Sequence, residues 1–191
     1  MAKRILLAGV LGGFALFLWG GLSHMVLGLG AVGIQNLPQQ QPVMDTIKAS
    51  VPQSGFYFFP QMDAGGKIPA EKVGGPYGIM IYHASGAGAA MTGQLVTECL
   101  LNILMALLAA LLLSRAGLTG YVSRVGFVTV LGLAIGLMTN VEYWNWYGFP
   151  LSYTAASIAI VVIGFTIVGL IAAAMVKEPV PRMLAVPARV A

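Results

Sequence analysis

Charge is scarce in this chain. Only 8% of its 191 residues are charged, ten Lys or Arg against six Asp or Glu, while 58% are hydrophobic. A chain of that balance cannot stay soluble alone. It has a single cysteine, Cys99, so no disulfide forms within the chain, and a small buried thiol is the expectation. Its two histidines, His24 and His83, are too few for a His-rich metal site. Also missing are a Cys/His cluster, H-E-x-x-H, G-x-S-x-G and G-x-x-x-x-G-K-S/T, which removes the metalloprotease, serine-hydrolase and P-loop mechanisms. No catalytic residue is assigned. His24 with Glu98 and Glu142 offers ligand types suited to a divalent cation but no defined spacing, so no metal site is assigned. A lone histidine ligating a haem or chlorin leaves any cofactor unidentified.

What is abundant is apolar sequence, with a mean hydropathy of +0.86. Four runs, near Ile5–Leu27, Gln94–Leu113, Gly126–Val141 and Tyr153–Val176, approach or exceed the roughly 20 residues a helix needs to cross about 30 Å of hydrocarbon. The third is the shortest, and it reaches that length only if Arg124 snorkels to the interface. The expected fold is an all-α membrane protein, a four-transmembrane-helix bundle with a small α+β extracytoplasmic insertion between helices 1 and 2. Its expected parts are residues 1–27 (N-terminus and first helix), 28–93 (outer domain), 94–176 (helices two to four) and 177–191 (tail). Lys3, Arg4, Arg115, Arg124, Lys177, Arg182 and Arg189 fall on one side of such a fold. Basic residues near helix ends stay in the cytoplasm, so both termini are expected there. The alternative, a cleaved signal peptide, fits poorly with a first apolar run longer than twenty residues. The net charge of +4 then reflects topology, and no basic run with interleaved aromatics points to nucleic acid.

The 28–93 segment is too long for a plain connector. Pro42, Val43, Met44, Ile47 and Val51 are spaced as a short amphipathic helix. Gly55–Pro60 and Tyr77–His83 are aromatic and β-branched runs bounded by Gly and Pro, expected to pair as strands around a 63–75 loop. His83 shares a strand face with Ile79 and Ile81 and is expected to be packed or hydrogen-bonded. One helix and one hairpin make too little core to stand alone, so this domain should lean on the bundle's ends, the membrane surface or a partner. Phe56, Tyr57, Phe58 and Phe59, with Trp144, Trp146 and Tyr147, form an outer aromatic surface. An interfacial belt explains it, and a ligand platform is the alternative.

The polar residues inside the apolar runs carry the functional expectation. An acidic residue at the centre of a membrane helix costs roughly 3 kcal/mol, less near an interface. Glu98 lies 17 residues from Arg115, Glu142 lies 18 from Arg124, and His24 lies 20 from Arg4, which sets all three about 25–30 Å up at 1.5 Å per residue. Gln94, Glu98 and Asn102 recur every four residues as one stripe. Gly132, Gly136 and Asn140 form a second seam, and Gly13, Phe17, Gly20 and His24 a third. Glycine faces are where membrane helices approach, so His24, Glu98, Asn102, Asn140 and Glu142 form the candidate polar cluster, with helix-to-helix hydrogen bonding as its structural alternative.

The segments Pro52-Gln-Ser-Gly-Phe-Tyr-Phe-Phe-Pro60, Trp144-Asn-Trp-Tyr-Gly-Phe-Pro-Leu-Ser-Tyr-Thr154 and Trp19-Gly-Gly-Leu-Ser-His24 resemble those of a group of small four-helix bacterial membrane proteins of uncharacterised function. The resemblance implies a multi-pass topology and the bacterial inner membrane, and no substrate. Three functions are open on the sequence. The first is a non-catalytic accessory or interaction subunit, with the bilayer and other membrane subunits, or copies of itself, as partners. The second is a small proton- or cation-coupled transporter or channel using Glu98. The third is a membrane redox or lipid- or quinone-binding subunit.

Overall fold

The computed structural model describes residues 1–86, 88 and 91–176, so Lys177, Arg182, Arg189 and the expected 177–191 tail lie outside the described residues. In chain order the elements are α1 (Ala2–Gly21), α2 (Gln40–Ser50), β1 (Gly55–Phe59), β2 (Gly78–Tyr82), α3 (Thr92–Arg115), α4 (Tyr121–Tyr147) and α5 (Leu151–Met175). Four helical stretches, Ala2–Val26, α3, α4 and α5, are long and apolar enough to cross a membrane. The third is the longest of them, not the shortest. Arg124 and Glu142 look like boundaries when charge alone is counted, yet the backbone ladder runs through both to Tyr147. Arg124 is 9% exposed, and no fully buried side-chain nitrogen or oxygen among the described residues lacks a hydrogen-bond partner. A long stem can lie along apolar surface while its head reaches water.

The chain divides into two compact units. One comprises Met1–Gly20, Glu98–Leu133 and the chain from Val162 onward, and its core is small-residue packing. A Cβ placed on Gly13 would fall on the Cα of Ile103, one on Gly9 would strike Leu107, and one on Gly12 would sit 3.4 Å from Ala106. Helix α1 therefore lies backbone-close against α3, as small-xxx-small faces allow. Gly164 takes the side chains of Leu16 and Trp19, Gly132 takes Phe165, and Gly169 takes Val125 and Val128. Ala8, Ala106, Ala109, Ala110, Val128, Val168 and Ala172 are fully buried among them. Thr129 and Thr166 add a hydroxyl contact between α4 and α5 at 3.1 Å. The seam expected through Gly13 and Gly20 is thus displaced toward the N-terminus: nothing lies within 4 Å of a Cβ on Gly20.

The other unit comprises Gly21–Thr97 and Ala134–Val161, so the 28–93 segment shares a unit with the upper halves of α4 and α5. Strands β1 and β2 pair antiparallel, with Phe56 opposite Ile81, Tyr57 opposite Met80 and Phe58 opposite Ile79. Opposite residues share a face, so Phe56 and Phe58 point one way and Tyr57 and Phe59 the other. His83 lies just past β2 and is exposed, as is Ile81, which corrects the expected packed histidine. Tyr57 donates to the Gln53 carbonyl at 2.7 Å, and Ser54 Oγ accepts from the Ala84 amide at 2.9 Å. The Pro52–Pro60 motif thereby latches the open end of its own hairpin.

The α4–α5 corner is built the same way. Gly148 adopts φ +72, a left-handed turn after the last helical residue that a side chain would strain. The Phe149 amide reaches back to the Tyr143 carbonyl at 3.3 Å. A Cβ on Gly148 would lie 3.2 Å from the Tyr77 hydroxyl, so the Asn-Trp-Tyr-Gly-Phe-Pro stretch also holds the base of β2.

Candidate functional site

Helix α1 does not stop at Gly21. It passes into a π-helical turn, Leu22–Val26, closed by a bond from the Leu27 amide to the Leu22 carbonyl at 2.9 Å. Such wide turns recur at functional sites. His24 sits in this turn, its Nδ1 3.1 Å from the Oγ of the fully buried Ser23. The chain then doubles back, and a Cβ on Gly30 would overlap the imidazole ring. Only glycine lets the backbone lie so close across the face of His24.

His24 opens onto a cavity of about 260 Å³ lined also by Thr139 and Asn140 of α4 and Ser157, Ile160 and Val161 of α5. Beside the cavity, a Cβ placed on Gly136 would lie 3.5 Å from Ile158 and Val161, an ordinary contact, so α4 and α5 pack together there. Asn140 donates its amide to the Gly136 carbonyl at 2.9 Å, and Thr139 donates to the Ile135 carbonyl at 2.9 Å. Both side chains satisfy their own helix and keep acceptor capacity. An imidazole, an amide and two hydroxyls around two aliphatic side chains suit a small, neutral, partly polar ligand.

On α3, Asn102 is buried and donates its amide to Glu98 Oε1 at 3.0 Å, while Glu98 and Gln94 above it are exposed. Inward-facing glycine seams had suggested the opposite for Glu98. Glu142 lines a groove of about 590 Å³ on α4 with Ala134, Leu137, Met138, Val141, Trp144, Asn145 and Trp146. Among the described residues no three His, Cys, Asp or Glu side chains are grouped to hold a metal ion. The structure thus brings His24 to Asn140, Glu98 to Asn102, and Glu142 to the groove on α4.

Of the aromatic surface, Phe56 and Phe58 meet Tyr147 at ring-centroid distances of 6.5 and 5.8 Å. The chain of rings continues through Tyr143, stacked on Phe149 at 5.4 Å, to Tyr153. This row fixes the hairpin to the end of α4. Tyr57 and Phe59 occupy the other hairpin face, and Trp144 and Trp146 border the α4 groove. Sequence reasoning missed Tyr143, Phe149, Tyr153, Thr139, Ser157 and Gly30. The four-residue spacing of Thr139, Tyr143 and Tyr147 was the available signal for the α4 members.

No family model, curated protein or solved structure matches this chain.

Proposed function

We propose that this chain is a multi-pass protein of the bacterial inner membrane, both termini cytoplasmic, that acts without catalytic chemistry as an accessory subunit docking another membrane-embedded protein through the Glu98 face of α3. The observation that carries this is the exposed carboxylate of Glu98 on a helix of membrane-spanning length. Asn102 supplies one donor, whereas a carboxylate has about four acceptor sites. Lipid tails supply none, and ionisable residues in such helices face a partner or an aqueous cavity. Exposed Leu95 and Leu101, three residues to either side of it, share its face and give a partner protein apolar contact area. Lys3, Arg4, Arg115 and Arg124, with Lys177, Arg182 and Arg189 following α5 in sequence, support the orientation.

Gentle-detergent purification of the full chain from its native membrane, with a photo-crosslinker at Leu101, tests this. The expected result is a discrete larger complex with protein adducts at Leu101, retained by Glu98→Gln and lost with Glu98→Leu. A lone chain whose Leu101 captures only lipid counts against docking. Proton or cation flux from vesicles holding the pure chain, abolished by Glu98→Gln, would favour the transporter instead. The His24 cavity favours a second reading, a ligand-binding subunit, which a co-purifying small molecule lost in His24→Ala would support.

A further inference from the structure

Among the described residues, the groove on α4 is lined by that one helix. Ala134, Leu137, Met138, Val141, Glu142 and Asn145 follow each other at helical spacings of three, one, three, one and three, so they form one stripe. Its lower part is aliphatic, and its upper end carries a carboxylate and an amide. Trp144 and Trp146 stand beside that end, Trp146 74% exposed. From Ala134 to Asn145 the stripe runs about 16 Å at 1.5 Å per residue, roughly half of a 30 Å hydrocarbon layer. It is the length of one lipid leaflet.

Packing on α4 shows why a second helix is the weaker occupant. Close helix approach uses small residues, and the two glycines of α4 nearest the stripe in sequence lie elsewhere, Gly132 against Phe165 and Gly136 near Ile158 and Val161. The stripe itself offers large, flexible Leu137 and Met138, which shape a furrow. Indole rings at its mouth sit where headgroups meet hydrocarbon.

We propose that this groove binds a phospholipid bearing a primary ammonium, its acyl chain along Ala134, Leu137, Met138 and Val141 and its ammonium at Glu142. A primary ammonium has three N–H donors and forms a charge-assisted hydrogen bond to a carboxylate, which a quaternary choline cannot form and an anionic headgroup disfavours. The site rests on the chain spanning a bilayer and is independent of the Glu98 docking face.

The full-length protein, reconstituted in vesicles, reports occupancy through Trp144 and Trp146 when the host lipid carries a minor fraction of lipid brominated on its acyl chains. Trp19 is half-buried beside Gly164, so the measurement is made in a Trp19→Phe background. Brominated phosphatidylethanolamine is expected to quench at a mole fraction on the order of ten-fold lower than matched phosphatidylcholine or phosphatidylglycerol, the factor that 1.4 kcal/mol yields. Glu142→Gln, on an exposed residue, should bring the three lipids together without abolishing quenching. Ala134→Phe, which fills the shaft, should weaken all three. Equal quenching by the three lipids while Glu142 is present overturns the proposal, as does an ethanolamine preference that survives Glu142→Gln. A photo-crosslinker at Met138 that captures protein in native membranes also overturns it. Failure of the chain to enter vesicles removes the membrane assignment as well, and is read separately from lipid preference by flotation.

Discussion

Gly12 and Gly13 are neighbours on α1, yet a methyl group should have opposite consequences at the two. At Gly12 the new carbon would lie 3.4 Å from the Ala106 Cβ and from a Val168 methyl, an ordinary contact. At Gly13 it would fall on the Ile103 Cα and lie 2.7 Å from the Ile103 nitrogen. The second distance is about 0.7 Å short of the contact at Gly12, and the obstacle is backbone, which no rotamer change can move aside. Replacing Gly by Ala inside a helix gains about 1 kcal/mol of propensity in either case. That gain cancels in the comparison, leaving the overpacking cost of about 1–3 kcal/mol as the difference between the two variants. Reversible unfolding of Gly12→Ala and Gly13→Ala in bicelles should therefore place the first near or above the native chain and the second below it by that margin. A Gly13→Ala variant as stable as Gly12→Ala would refute the backbone-close packing of α1 on α3.

Three further outcomes are expected. Gly30→Ala should displace the imidazole it would overlap, seen as a shift of the His24 ring resonances in labelled protein with those of exposed His83 unmoved. Phe58→Ala and Tyr147→Ala, which separate rings 5.8 Å apart, should each speed proteolysis within residues 63–75, and a double-mutant cycle should return a coupling of about 0.5–1.5 kcal/mol; additive effects would detach the hairpin from α4. Reporter fusions after Ala116 should read cytoplasm and one within 63–75 should read outside, as the basic residues flanking the helices require.

The helices and the hairpin were legible because each rests on a local pattern. Long apolar runs have one stable answer, and Gly55–Phe59 and Gly78–Tyr82 are β-branched and aromatic runs fenced by Gly and Pro. The ends of α4 were not legible, since Arg124 and Glu142 interrupt hydropathy without interrupting hydrogen bonding. Periodicity tells which residues share a face, never which face is covered. That is why Gly20 looked like a packing position although nothing lies within 4 Å of a Cβ placed there, and why Glu98 looked buried and proved exposed. The His24 cavity was half visible. His24 and Asn140 stood out as polar residues in apolar runs, whereas Thr139 and Ser157 are unremarkable in a helix and gain meaning only when α4 and α5 align. Gly30 carries no mark at all, because its role is to be absent beside a ring six residues earlier.

The π-helical turn at Leu22–Val26 has a consequence for how this protein can change over generations. A π turn is an α-helix carrying one residue too many, so removing Leu22 or Ser23 from it would restore regular winding and move His24, which sits inside the turn, about one residue's step around the helix. The glycine contacts of α1 below the turn would not register the loss. The direction in which His24 points is therefore set by chain count, and one lost codon could disarm the cavity while leaving a helix that folds as before.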